Sequence, residues 1–272
     1  MSVARSKYKV TKSLLLIGIL ITGLLSAFIG LVAYFGQYMG TFVISLDDAS
    51  LALGIALCEH EEFEQSNSRL LVNPVNAANP TTFTDIKFGD AVTTDGDMDK
   101  GESNNYIAYT FYIRNEGNIS VDVELNLNTI TVTKNVDKAL RIAVIEGGYV
   151  DEKGDVKFDK GTIYMKNDGN GDEAVVRSLT RIYREDENGN MIYYEKILYD
   201  SFTKELLNEE NNFGHYVVEN LVPMETRKFT IVFWLEGWDA DCTDTLKHGQ
   251  LKMKLVFTIR KMEDEEEDEY GY

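Results

Sequence analysis

Hydrophobic and polar positions change their spacing along this chain. From Ser13 to Leu46 no side chain carries a charge, and Ser13 to Phe35, SLLLIGILITGLLSAFIGLVAYF, is an almost unbroken apolar block. As a helix that block measures about 34 Å, enough for a bilayer core of about 30 Å. Gly18, Gly23 and Gly30 weaken a helix in water but are tolerated in lipid, where no solvent competes for the backbone. After residue 40 the chain alternates with period two. Leu51, Leu53, Ile55 and Leu57 alternate with Ala52, Gly54, Ala56 and Cys58. The same rhythm runs through Ile119 to Asn128, Phe229 to Leu235 and Leu251 to Arg260. Successive strand side chains point to opposite faces, so each run predicts a strand with one core face.

Turn residues separate the runs. Asn115-Glu116-Gly117-Asn118 divides YIAYTFYIR from ISVDVELNL and predicts a tight hairpin. Asp151 to Asp155 and Asp186 to Asn190 predict two more hairpin tips, and Pro223 precedes the Phe229 strand, where it costs no ladder bond. LRIAVIE, GTIYMK, VVRSLTRIYRE, MIYYEKILY and HYVVENL bring the total to about ten strands. A short helix is predicted from Ser201 to Leu207, with Ser201 as its N-cap. Many short strands with little helix predict an all-β fold. Its expected form is an antiparallel jelly-roll or immunoglobulin-like β-sandwich, preceded by one N-terminal transmembrane or signal helix.

Charge divides the chain further. Residues 1–12 hold Arg5, Lys7, Lys9 and Lys12 and no acid, while the whole chain carries a net −18. Basic residues before an apolar span hold the N-terminus in the cytoplasm and place the chain beyond the span outside. Two readings of the span are open: an uncleaved anchor, or a cleavable signal peptide with small residues at Ala27, Gly30 and Ala33. Glu263 to Glu269 are seven consecutive acids before Tyr270-Gly271-Tyr272, which predicts a disordered, solubilising tail. The predicted organisation is a basic cytoplasmic segment 1–12, a membrane or signal helix 13–39, an extracellular domain 40–262 and the tail 263–272. The acidic balance argues against nucleic-acid binding, which requires a basic face.

Catalytic patterns are sparse. Cys58-Glu59-His60-Glu61-Glu62 has no second His one turn on, as an H-E-x-x-H peptidase requires, and His215 and His248 stand apart. Ser201-Phe202-Thr203-Lys204 matches S-x-x-K without the S-D-N and K-T-G elements of its enzymes. No phosphate-binding or dinucleotide fingerprint and no nucleophile elbow is present. The expectation is a protein that is not an enzyme and has no resident cofactor. Calcium is the candidate ligand, because Asp95, Asp97 and Asp99 alternate in one loop and can converge on a hard cation. Asp168 to Glu173 is a similar loop, and both loops equally suit solvated tips. Glu236, Asp239, Asp241 and Asp244 form a third acidic loop, cation-binding or simply exposed. Cys58 and Cys242 suit either one long-loop disulfide or two free thiols. Tyr106, Tyr109, Tyr112, Tyr183, Tyr193, Tyr194, Trp234 and Trp238 offer stacking faces for carbohydrate, or fill cores.

Three stretches carry a resemblance. They are AYFGQYMGTFVISLDDASLALGI from Ala33, NNYIAYTFYIRNEGNISVDVELNL from Asn104, and VPMETRKFTIVFWLEGWDADCTD from Val222. In these the chain resembles the TasA/camelysin-type exported proteins of Gram-positive bacteria. The resemblance implies a jelly-roll-like sandwich, export through a dedicated signal peptidase, and assembly into extracellular matrix fibres. In such fibres an N-terminal strand of one subunit completes the sheet of the next. Gly40 to Leu57 is the corresponding segment here, and pairing within its own sheet is the other reading open to it. The metallopeptidase activity assigned to camelysin has no His-rich motif here to carry it. The expectation is therefore a cell-surface or matrix protein with a structural or adhesive role, held by the membrane or secreted after cleavage, meeting itself or wall components. A calcium- or carbohydrate-binding surface module is the alternative, and a camelysin-like metal-dependent peptidase is third.

Overall fold

The computed structural model describes residues 17–30, 42–73, 79–98, 105–167, 184–185, 191–192, 194–207 and 212–260. It divides into two units, Met1–Gly40 and Thr41–Tyr272. In the first unit, residues 17–30 form helix α1, exposed along its whole length. Among the described residues, no helix is long and apolar enough to cross a membrane. The flanks of the predicted span, the basic segment 1–12 and the tail 263–272 lie outside the described residues.

The second unit is mostly β, and strands make up 49% of the described residues. In chain order its elements are β1 (Phe42–Leu46), α2 (Asp48–Ala52), β2 (Ile55–Cys58), β3 (Arg69–Val72), α3 (Phe88–Thr93), β4 (Gly96–Asp97), β5 (Tyr106–Asn115) and β6 (Val121–Val132). Then come β7 (Leu140–Glu146), β8 (Tyr149–Val150), β9 (Val156–Lys157), β10 (Lys160–Lys166), β11 (Arg184–Glu185), β12 (Met191–Ile192) and α4 (Tyr194–Ser201). The chain finishes with β13 (Thr203–Leu207), β14 (Asn212–Leu221), β15 (Thr226–Leu235) and β16 (Leu251–Ile259). One large sheet has the order β14-β6-β16-β1-β3, and the other β13-β10-β7-β15-β5-β2, with β4 also paired to β5.

The two sheets share one core. Ile44, Val123, Leu125, Leu127, Leu255 and Phe257 of the first meet Ile107, Phe111, Ile142, Val144, Phe229 and Ile231 of the second. Phe111 stacks on Phe229 at 5.8 Å and meets Phe257 edge-on at 5.9 Å. The outer face of the five-stranded sheet is wetter along β6, which alternates buried and half-buried positions from Val121 to Asn128, while β1 is buried on both faces. The seven-stranded sheet is buried on both faces. A second cluster covers its far side, with Phe83, Phe88, Val92, Leu198, Tyr199 and Phe202 packed on Ala143, Ile145, Ile163, Val232 and Trp234. That is why β7 and β15 read as continuous apolar runs.

Several local expectations change. Asn115 to Asn118 does not close a hairpin: β5 belongs to the seven-stranded sheet and β6 to the other, so the loop crosses between layers. Asn115 holds the crossing, because its Nδ2 donates to the carbonyls of Ile119 (2.7 Å) and Leu221 (2.8 Å) and its Oδ1 accepts from Gly117 N (2.9 Å). Gly117 lies so close to Leu53 O that any side chain would collide there. The Asp151 to Asp155 tip does join a hairpin, β8–β9, and β11 pairs β12 around 186–190. The strand expected over MIYYEKILY forms only at its start, as β12, and beyond it the expected strand and the helix expected at Ser201 to Leu207 exchange places. The helix is α4, whose Leu198 and Tyr199 pack on the far side of the seven-stranded sheet, while β13 pairs with β10. The alternating run from Leu51 starts inside α2, capped by Asp47 accepting from Ser50 N at 2.8 Å, and becomes a strand only at Ile55. Pairing is antiparallel except for β1 with β16 and β10 with β13, which are parallel. VVRSLTRIYRE falls outside the described residues except for β11.

Candidate functional site

Three places carry the residues singled out by sequence. The first is the acidic loop at β4. Asp95 and Asp97 are half-buried, and Asp99 lies outside the described residues. The two carboxylates have separate partners. Asp95 Oδ1 accepts from Tyr112 Oη at 2.7 Å, and its Oδ2 lies 3.4 Å from His60 Nδ1. Asp97 Oδ2 instead accepts from the backbone N–H of Asn73 at 2.9 Å. Glu59, beside them, accepts from Tyr109 Oη. Burial raises the Tyr109 and Tyr112 phenols, and hydrogen bonds to Glu59 and Asp95 raise them further. These carboxylates tie the loops at β2 and β4 to β5. Among the described residues, no group of three or more His, Cys, Asp or Glu is placed to hold a metal ion. The Asp168 to Glu173 loop lies outside the described residues.

The second place is the loop after β15, where two of the acids are buried. Glu236 is 0% exposed and accepts from Trp234 Nε1 at 2.9 Å and Trp238 N at 3.2 Å. Burial raises its carboxyl above the ordinary glutamate range. Asp239 pairs with Arg141 Nη2 at 2.5 Å, both side chains nearly inaccessible, and its Oδ1 accepts from Asp241 N at 2.8 Å. Arg141 Nη1 also donates to Leu140 O at 3.1 Å. A buried pair of this kind locks geometry more than it adds stability. The signal that would have found it is one arginine inside the apolar run LRIAVIE. Cys242, in the same loop, is half-buried, and burial raises its thiol. Cys58 is buried on β2, and both cysteines are free, so of the two arrangements open to them the bridge is not the one formed.

The aromatic residues divide between core and surface. Tyr106, Tyr109, Tyr112 and Trp234 are buried. Tyr183 and Tyr193 lie outside the described residues, as does the side chain of Tyr194. Trp238 is 57% exposed.

The third place is β1, the first strand of the second unit. Every residue of FVISL is buried. The strand lies between β16, which it meets in parallel with Val43 opposite Lys254, and β3, which it meets antiparallel with Val43 opposite Leu71. Phe42 packs on Phe233 of the other sheet, ring centroids 4.3 Å apart. Ile44 and Leu46 enter the shared core beside it. Each such side chain contributes about 1.5–3 kcal/mol on burial. Beyond the strand, Leu46 N donates to Ser68 O and Asp47 N to Phe257 O, both at 3.0 Å. Of the Gly40 to Leu57 segment, the described part from Phe42 pairs within its own body, with β1 in one sheet and β2 in the other; Gly40 and Thr41 lie outside the described residues.

No protein-family profile, curated protein or solved structure matches the chain.

Proposed function

We propose that this is an exported cell-surface or extracellular-matrix protein with a structural or adhesive role. Its jelly-roll-like β-sandwich is delivered through the N-terminal apolar segment and assembles by exchange of β1 between subunits. The observation that carries the reading is the position of β1. It is the strand nearest the leader, its bonds to both neighbours are main-chain bonds, and Phe42, Ile44 and Leu46 fill inward pockets at alternate positions. That combination is what strand addition uses: backbone bonds for affinity and alternate pockets for specificity. An identical β1 from a second copy finds the same register and pockets, so exchange changes no contact. The neighbouring β3 is only four residues long and leaves little to resist release.

The test places a cysteine pair in register, Val43→Cys with Lys254→Cys, in the full chain with Cys58→Ala and Cys242→Ser. Oxidation of assembled material gives a covalent ladder on a non-reducing gel if β1 is exchanged. Cross-linked monomers alone, at every concentration and without fibres in electron micrographs, overturn the reading.

A further inference from the structure

The two ends of the sandwich differ in a way that assigns a role to Trp238. The chain joins the body at Phe42, and Phe42 lies against Phe233 near the C-terminal end of β15. The loop carrying Trp238 leaves β15 at that same end and returns into β16 beside the start of β1, where Val43 is level with Lys254. The first described residue of the body, Phe42, is therefore at the end where Trp238 stands. An indole at 57% exposure is expensive in water, and here the backbone that carries it is fixed by hydrogen bonds. Gly237 N donates to Thr81 O at 2.7 Å, Trp238 N to Glu236 Oε1 at 3.2 Å, and Asp239 N to Glu236 O at 3.2 Å. The exposed ring of Pro80 stands next to it, 3.6 Å from where a Cβ on Gly237 would lie.

The loop's charge is arranged to suit the same end. It has four acids: Glu236 is buried with its carboxyl pushed toward the neutral form, Asp239 is paired with buried Arg141, and Asp241 is half-buried and keeps its charge in the loop. Asp244 pairs with Lys247 at 3.0 Å, and Lys134 reaches across to Lys247 O. The loop thus presents an indole where the chain enters the body, and Lys247, paired with Asp244, and Lys134 of the β6–β7 loop stand at the same end, in a chain of net −18. Indoles favour the headgroup layer, where the ring is partly dehydrated and its N–H still finds acceptors, and lysines favour anionic headgroups.

We propose that this end of the sandwich rests on the lipid surface, with Trp238 inserted at headgroup level. The proposal builds on the membrane-delivery reading above and adds an orientation to it. The full chain is reconstituted into vesicles of phosphatidylcholine with phosphatidylglycerol, with and without brominated acyl chains. Flotation is read first and tryptophan emission second. Trp234 is 2% exposed inside the body, so lipid quenching reports on Trp238. The expected result is flotation, loss of the Trp238 part of the emission in brominated vesicles, and no such loss in Trp238→Phe, which still floats. Flotation with no quenching overturns this proposal and leaves delivery to the membrane standing. Quenching that persists in Trp238→Phe also overturns it. Failure to float overturns both.

Discussion

The two sheets are built from similar strands, yet the outer face of one is wet along β6 and the other is dry on both faces through its central strands. In the five-stranded sheet, Asp122, Glu124, Asn126 and Asn128 of β6 face outward, and Asn126 Nδ2 donates to Thr258 Oγ1 at 3.1 Å on the neighbouring strand. In the seven-stranded sheet the outward positions are Ala143, Ile145, Ile163 and Val232, covered by α3, α4 and a knot of rings. Phe83 alone lies within 6.3 Å of Phe88, Tyr199, Phe202 and Trp234 by ring centroid. Strand character is thus set by what covers the sheet. A covered sheet can tolerate a charge only when that charge brings its own partner, as Arg141 does with Asp239.

The largest way to break this comparison is to remove one member of that pair. Arg141→Met leaves the Asp239 carboxylate buried without a counter-charge and is expected to cost about 3–5 kcal/mol in urea unfolding. Adding Asp239→Leu to the same chain should recover most of the loss. If the single variant unfolds like the wild type, the pair is not buried in solution. Next in size, one isoleucine from each outer face can be shortened. Ile145→Ala should cost about 2–5 kcal/mol, because it opens a cavity under α3 and the rings. Ile130→Ala, at a position 53% exposed on the other sheet, should stay within about 0.5 kcal/mol. Equal losses would mean that the outer layer does not cover the seven-stranded sheet.

A smaller effect appears with pH. Burial raises the phenols of Tyr109, Tyr164 and Tyr216 above the ordinary tyrosine value near 10. The stability they contribute is complete below that value and declines as pH rises past it, because the unfolded chain releases protons that the folded one keeps. Tyrosinate absorbance should therefore lag behind that of free tyrosine and then rise together with loss of circular dichroism. A smooth titration near pH 10 with the fold intact would contradict the burial. The smallest effect concerns the thiols. A reductant should leave the melting temperature unchanged, and two thiols per chain should react with a thiol reagent once the protein is unfolded. Fewer than two would reveal a bridge.

Legibility in the sequence divides along the same line. The period-two pattern of β6 and β16 is legible because water on one face enforces alternation. The strands β7, β10 and β15 are legible as apolar runs, but their second covering layer is not, since a run does not say what lies on either side. Turn chemistry locates the bend after Asn115 without showing that it changes sheets, because that depends on carbonyls of β14 and its loop a hundred residues away. The exchange of helix and strand around Ser201 has the same origin. Leu198 and Tyr199 find a hydrophobic surface, and Thr203 to Leu207 find the edge of β10, neither visible locally. Among the proposed calcium ligands, spacing brings acids together in sequence, but Tyr112 and Asn73 claim Asp95 and Asp97 separately. Trp238 is one of eight aromatic candidates, and only its exposure separates it from Trp234.

The parallel contact between the first strand and the last has a consequence for the timing of folding. Val43 has no neighbour on its β16 side until Lys254 has been made, so that side of the strand stays open for nearly the whole of synthesis. Closing so long a loop is slow, and the central ladder of this sheet forms late. On the export reading proposed above, a body that cannot finish folding until its last strand arrives would stay threadable, with its leading strand still open to a partner.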